Sequence, residues 1–239
     1  MSSNRPGRWI RRLIVTLVVL AVLAVAVDRI AAVVAQNQLA SMATKEAAKY
    51  DVRSADTSVK IGGFGFFPQL FKEDFSKVTL TMGKPTLSKI PGEKLTVDMH
   101  SVHVPRSLLT QQSGAVTIDS TDLQLQFAPR ELSRLAVAAT GLQGLSLVVV
   151  DGKLHARLTL GGSSADVPIT PKFSNGRMAL AVDKLPDGIP AVLRNALQNR
   201  LAEGIEIPEL PFGAQVTGVS IADNSVVLTA AVKDLKFNS

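Results

Sequence analysis

The chain has 239 residues, a net charge of +6 and no cysteine. Disulfides, a thiol nucleophile and a lipidated cysteine are therefore excluded. So is a basic stripe of the nucleic-acid-binding kind: of 26 basic and 20 acidic side chains, four arginines and no acid fall within residues 1–27, which leaves 22 against 20 in the remainder.

Arg5, Arg8, Arg11 and Arg12 precede an uncharged apolar run from Leu13 to Val27, in which Thr16 is the one hydroxyl. This is the pattern of an export segment, with residues 1–12 a basic cytoplasmic tail and 13–27 a signal anchor or signal peptide. The arginines place all that follows in the cell envelope, on the outer, periplasmic side of the cytoplasmic membrane. Two fates are open. At about 1.5 Å per residue the run makes a helix of roughly 22 Å, short of the roughly 30 Å hydrocarbon core, and Ala24-Val25-Ala26 offers small residues for cleavage. Against cleavage, apolar character resumes after Asp28-Arg29 with Ile30 to Ala35, so an unbroken helix can run on.

Residues 28–50 are Ala-rich and free of Pro and Gly, and Ile30, Val33, Val34 and Ala40 recur at helical spacing. One helix is expected. Ala31, Ala32, Leu39 and Met42 put apolar surface on its other sides, which predicts an enclosed helix. About 210 residues follow the apolar run, enough to bury a core. No Pro-rich or Gly/Ser-rich linker divides residues 51–239, so 28–239 read as a single domain.

Strands then dominate. Thr57 to Ile61 and Lys77 to Met82 flank a Gly- and Phe-rich segment. Leu154, Ala156, Leu158 and Leu160 alternate with His155, Arg157 and Thr159, the mark of a strand with one wet face. Asp151-Gly152 and Asn175-Gly176 are strong hairpin signals, because a type I′ turn needs positive φ at both central residues; Asp223-Asn224-Ser225 makes a looser turn. About ten strands in a largely antiparallel sheet are expected, with no β-α-β alternation. The alternation also slips phase twice. Leu95, Val97 and Met99 share one parity and Val102 and Val104 the other; Val116 and Ile118 are out of phase with Leu123, Leu125 and Phe127. The second slip, at Asp119 to Asp122, fits a turn, while the first has no turn residues and favours a bulge, hence a strongly curved sheet. Two shorter helices are expected, at Pro129 to Ala139 before Gly141, and at Ile189 to Ile205. In the latter Ile189, Val192, Leu193, Ala196, Leu197, Leu201 and Ile205 form one stripe, with Gly204 near its end.

Catalytic chemistry finds little footing. His100 and His103 are three apart in a strand, which points them to opposite faces, and His155 is remote. No Gly-x-Ser-x-Gly elbow, His-Glu-x-x-His helix or phosphate-cradling loop occurs, and the acid pairs Glu73-Asp74 and Asp183 with Asp187 lie in turn-like contexts. The most unusual segment runs from Ile61 to Phe71. Five of the nine phenylalanines fall between Phe64 and Phe75, and Gly62, Gly63 and Gly65 let the backbone turn tightly among them. An aromatic core corner would use these residues; so would a wall for acyl chains, which need apolar contact without specific polar partners.

The pattern Gly63-Phe64-Gly65-Phe66-Phe67-Pro68-Gln69-Leu70-Phe71, followed by Phe75-x-x-Val78-x-Leu80, resembles the motif near the start of the LmeA-like phospholipid-binding family of actinobacteria. Ile207-Pro208-Glu209-Leu210-Pro211-Phe212-Gly213, followed by Val219-Ser220-Ile221 and Val226-Val227-Leu228-Thr229, resembles its second hallmark. Gly65 stands where the family usually has proline, and Phe67-Pro68 where it has Leu-Thr. The resemblance implies an α+β fold of the tubular lipid-binding type, an elongated, strongly curved antiparallel sheet wrapped around a long N-terminal helix. It also implies binding of an inositol phospholipid or related glycolipid, and a link to mannan-chain maintenance in lipoglycan assembly.

The resulting expectation is a non-enzymatic phospholipid-binding protein, without cofactor or metal, partnered by lipid, by the cytoplasmic membrane and by an envelope glycosyltransferase, and not by nucleic acid. Acyl chains would lie against Phe64, Phe66, Phe67, Leu70 and Phe71, with Val192, Leu193, Leu197 and Leu201 as a second wall and the head group beside Lys60, Lys72 or Lys77. The alternative is an envelope adaptor with a filled core that recruits or stabilises an enzyme.

Overall fold

A computed structural model describes residues 7–87, 89–105, 107, 114–160, 162–174, 176–182, 191–207, 210 and 213–238. Arg5, Asn175, Asp183, Asp187, Ile189, Pro208, Glu209, Pro211 and Phe212, named above, lie outside the described residues.

The apolar run and the Ala-rich stretch form one helix, α1 (Gly7–Ala48). With no Pro or Gly after Gly7, nothing in it breaks the hydrogen-bond ladder. From Leu13 to Val27 its side chains are exposed throughout. This is one helix long and apolar enough to cross a membrane. Beyond Val27 it packs along one flank, burying Asp28 and Ala32 and half-burying Ala35, Ala40, Ala43 and Ala47. The expected enclosure does not occur: Ile30, Val33, Val34 and Met42 remain more than half exposed, because the sheet meets only the small-residue face.

After β1 (Val52–Arg53), β2 (Asp56–Ile61) returns along α1, and the chain then forms helix α2 (Phe66–Lys72), β3 (Asp74–Gly83), β4 (Thr86–Leu87), β5 (Ile90–Pro91), β6 (Lys94–His103) and β7 (Ala115–Phe127). Helix α3 (Pro129–Thr140) follows, with Pro129 in its first turn and Gly141 capping it at φ +69. Next come β8 (Leu145–Val150), β9 (Lys153–Leu160), β10 (Ser163–Ser174) and β11 (Arg177–Val182). A helical stretch comprises α4 (Ala191–Asn195), a π-helical turn (Ala196–Arg200) and α5 (Leu201–Glu203), and the chain closes with β12 (Ile205–Glu206), β13 (Gln215–Ala222) and β14 (Ser225–Asn238). Ten of these strands are six residues or longer.

The fold is α+β: the long apolar helix and a curled antiparallel sheet system. Six strands pair in the order β13-β14-β7-β6-β3-β2, five as β12-β11-β10-β9-β8, and β1-β4-β5 form a small ribbon. Helix α1 covers the β2 edge, where unpaired backbone would otherwise face outward. The Asp151-Gly152 turn joins Val150 to Lys153 with φ +48 and +72, as a type I′ hairpin requires. Asp223-Asn224 does the same between Ala222 and Ser225, so this turn is tight rather than loose. Both sheets and α3 feed one core, which joins Met82, Leu125, Phe127 and Leu228 to Leu132, Ala136, Leu158, Val167 and Leu201.

The two phase slips are one feature. Strand β7 runs unbroken through Asp119, so no turn interrupts it. Ser101 on β6 and Asp234 on β14 adopt φ +51 and +54, and Asp119 lies between them. Register is kept across this line: His100 and Val102 pair with Ser120 and Ile118, as do Lys233 and Leu235. No residue is inserted, so this is not a bulge. A crease reverses side-chain parity in neighbouring strands together, and Phe75 and Val78, Met99 and Val102, and Ile118 and Thr121 all face inward although each pair is three apart. For the same reason His100 and His103 share the outer face, against the expectation of opposite faces. A genuine bulge occurs elsewhere, between Val216 and Gly218.

The 189–205 stripe is shorter than expected. Gly204, at φ +69, ends the helix, and Ile205 pairs with Met178 as a strand residue.

Candidate functional site

Two apolar features stand at opposite ends of the six-stranded sheet. The first is the α2 corner. Both oxygens of the buried Asp28 carboxylate accept hydrogen bonds from α2: Phe66 N donates to Oδ1 and Oδ2 at 2.8 and 2.9 Å, and Phe67 N to Oδ1 at 2.8 Å. These are N–H groups that a helix start leaves without an internal partner. Buried Gln69 holds the preceding loop. Its Nε2 donates to Gly62 O and Gly65 O at 2.9 and 2.8 Å, and its Oε1 accepts from Ser76 N at 3.0 Å and Ser76 Oγ at 3.3 Å. All four capacities of the amide are thereby used. The glycines are sterically required: a Cβ at Gly63 would stand 2.6 Å from Ser76 Oγ, and Gly65 has φ +73, which a proline ring cannot adopt. Proline at this position would therefore force a different loop into α2. Pro68 sits in the first turn of α2, where its missing N–H costs nothing.

Hydrophobicity does not reveal the direction in which the motif's side chains point. Phe66 and Leu70 are half-buried against the cluster of Val59, Phe75, Val78, Val102 and Ile118, with the Phe66 and Phe75 rings 5.9 Å apart. Phe64 and Phe71 point away, 91% and 67% exposed, and Phe67 bridges the two sets, 5.7 Å from Phe66 and 6.5 Å from Phe71. Leu201 is fully buried in the other cluster, so it does not face the phenylalanines. The side chains of Val192, Leu193 and Leu197 lie outside the described residues.

The second feature is an apolar crevice that sequence reasoning missed. Leu95, Leu123, Leu125, Leu228 and Ala230 on the six-stranded sheet form its floor, and Val52, Pro85, Leu87 and Leu210 its walls. Its free volume is about 30 Å³, far below the roughly 300–1,000 Å³ of small-molecule clefts, so its walls would have to part to admit an acyl chain. The alternating leucines of β6 and β7 are visible in the sequence. What brings Leu228 and Ala230 beside them is the pairing of β14 with β7, a contact across more than a hundred residues that no local pattern announces.

Charged groups sit on outer faces in pairs. Lys77 Nζ lies 3.2 Å from Asp98, whose Oδ1 also accepts from Thr79 Oγ1 at 2.6 Å. Asp166 accepts from Arg157 at 2.8 and 3.1 Å and lies 2.9 Å from His155 Nδ1. Burial pushes the pKa of both aspartates up, but these hydrogen bonds and charges outweigh it and hold each carboxyl below its ordinary range. Lys77, a head-group candidate, is thus engaged with Asp98. Lys60 and Lys72 are exposed. His100 lies 3.6 Å from Asp122. Among the described residues no three His, Asp or Glu side chains converge as a metal set.

The family described as LmeA-like phospholipid-binding matches residues 26–231, which takes in the second half of α1, the α2 corner and the crevice. No curated protein and no solved structure matches the chain. The family match supports a lipid-binding role.

Proposed function

We propose that this chain, which belongs to the LmeA-like phospholipid-binding family, is an exported protein tethered by α1 to the outer side of the cytoplasmic membrane, where residues 28–239 act as one lipid-binding domain. The family match carries the reading, and the crevice supports it as a wholly apolar seam between the six-stranded sheet and the ribbon that could open around an acyl chain. An acyl chain inserted there replaces water against leucine and valine surface, at about 25 cal/mol per Å² of area buried. The phenylalanines of the α2 corner, Phe64, Phe67 and Phe71 foremost, make further lipid contacts, with Phe66 and Leu70 behind them and Val192, Leu193 and Leu197 as a separate contact; Leu201, fully buried in the core, takes no part. The lipid is an inositol phospholipid or related glycolipid, and the role is non-catalytic support of lipoglycan assembly beside an envelope glycosyltransferase.

Native mass spectrometry and lipid extraction of the full chain purified from membranes test this. The expected result is bound phospholipid, reduced in Ala230→Leu, which fills the crevice floor with added apolar volume. Lipid unchanged by Ala230→Leu overturns the crevice assignment, and lipid no higher than in a detergent blank overturns lipid binding itself and favours the adaptor reading.

A further inference from the structure

We propose that the α2 corner is itself seated in the membrane, in the outer-leaflet hydrocarbon alongside α1, with Asp28 as the joint that allows it. The inference rests on the reading of α1 as a membrane tether and is independent of what the crevice holds. Leu13–Val27 makes only about 22 Å of helix, against roughly 30 Å of hydrocarbon. The apolar exposed surface does not stop there: Ile30, Val33 and Val34 are 65%, 53% and 64% exposed. A span from Leu13 to Ala35 reaches about 34 Å and closes the gap. It also takes Asp28 and Arg29 into the bilayer.

A bare carboxylate at that depth is costly. Asp28 is not bare: it is 9% exposed and holds the first N–H groups of α2. Arg29 is exposed and has the long stem needed to reach the interface. The same hydrogen bonds fix α2 beside the tether at this level, and there the side chains of Phe64 and Phe71 are 91% and 67% exposed. Exposed apolar side chains that cluster next to a membrane helix match a lipid surface in chemistry. The outward surface is continuous from the Leu13–Val27 run through Ile30 and Val34, which favours bilayer over a second protein as its cover.

Trp9 is the one native tryptophan, so single-tryptophan reporters are available in a Trp9→Phe background. The full chain carrying Phe64→Trp, Phe71→Trp or, as a depth reference, Val25→Trp is reconstituted into vesicles of dioleoylphosphatidylcholine and dioleoylphosphatidylglycerol, with and without acyl-chain bromination. The expected result is blue-shifted emission at all three positions, loss of fluorescence in brominated vesicles, and protection from aqueous iodide. Residues 64 and 71 open to iodide and blind to bromine, while 25 is quenched by bromine, would place the corner in water and overturn the proposal. Protection from both quenchers would mean that protein covers the corner, and overturns it as well. If 25 itself escapes bromine, the tether reading fails and the proposal with it, whatever lipid the purified chain carries. Phe64 is exposed enough that its replacement leaves the fold intact, so a failed signal at that position reports location and not unfolding.

Discussion

Asp28, in the middle of the long N-terminal helix, and Phe66, at the start of the short second helix, are tied by two hydrogen bonds of 2.8 and 2.9 Å across 38 residues of chain. Removing the acceptor in Asp28→Ala leaves the Phe66 and Phe67 amides without partners. The expected loss is about 1–3 kcal/mol of local stability, or roughly 5- to 150-fold faster hydrogen exchange at those two amides. Asp28→Asn keeps one acceptor oxygen and should fall between. Unchanged exchange in the alanine variant would show that the tie carries no weight.

Gln69→Leu tests the loop. Its shape suits the buried position, but it abandons the carbonyls of Gly62 and Gly65 and the amide of Ser76. Unpartnered backbone groups here should cost about 1–3 kcal/mol, read as a lower urea midpoint at constant slope. Gly63→Ala should cost at least as much, since its Cβ meets Ser76 Oγ and Gln69 Oε1 at 2.6 and 2.8 Å in a backbone region with φ +88.

The crease offers a substitution with the opposite sign. Ser101 holds φ +51 inside a strand, a conformation that costs a side-chain-bearing residue about 1–2 kcal/mol. Ser101→Gly relieves this, offset in part by the greater freedom of glycine in the unfolded chain. The expected net gain is up to about 1 kcal/mol, measured by thermal or urea unfolding. A loss would mean that the serine side chain holds the crease.

The Asp166 cluster gives a pH dependence. Arg157 and His155 hold the Asp166 carboxyl below its ordinary value despite partial burial. A carboxylate with a depressed folded pKa binds fewer protons when folded than when unfolded, so its contribution is present above the unfolded pKa of about 3.9 and is lost as pH falls through the folded value. Because the pair is substantially exposed, the effect should stay under about 1 kcal/mol. Stability curves of the parent and Asp166→Asn should therefore converge below about pH 4 and separate above it.

The hairpins were legible because their signal is local: Asp151-Gly152 and Asp223-Asn224 announce positive φ by composition alone. The long helix was legible for the same reason, since nothing between Arg8 and Ala48 can break it. The crease was visible as two slips in alternation but not as one object, because what unites them is the lateral pairing of β6, β7 and β14. The corner was legible as a composition, but the directions of its side chains were not. Phe64 and Phe66 have the same hydrophobicity, and their opposite directions depend on Gly65, whose φ of +73 turns the chain between them.

The length of α1 sets a height. From Asp28, beside the α2 corner, to Ala47, packed at the core near the ribbon, the helix advances about 28 Å, and Val52 on the crevice wall follows within a few residues. One leaflet contributes only about 15 Å of hydrocarbon. If α1 is the tether proposed above, an acyl chain in the crevice would lie beyond the hydrocarbon of the leaflet it came from. On the proposed tether, α1 would act as a mast that holds the crevice above the membrane, and because α1 packs on β2 between Asp28 and Ala47, helix and sheet together would set that height.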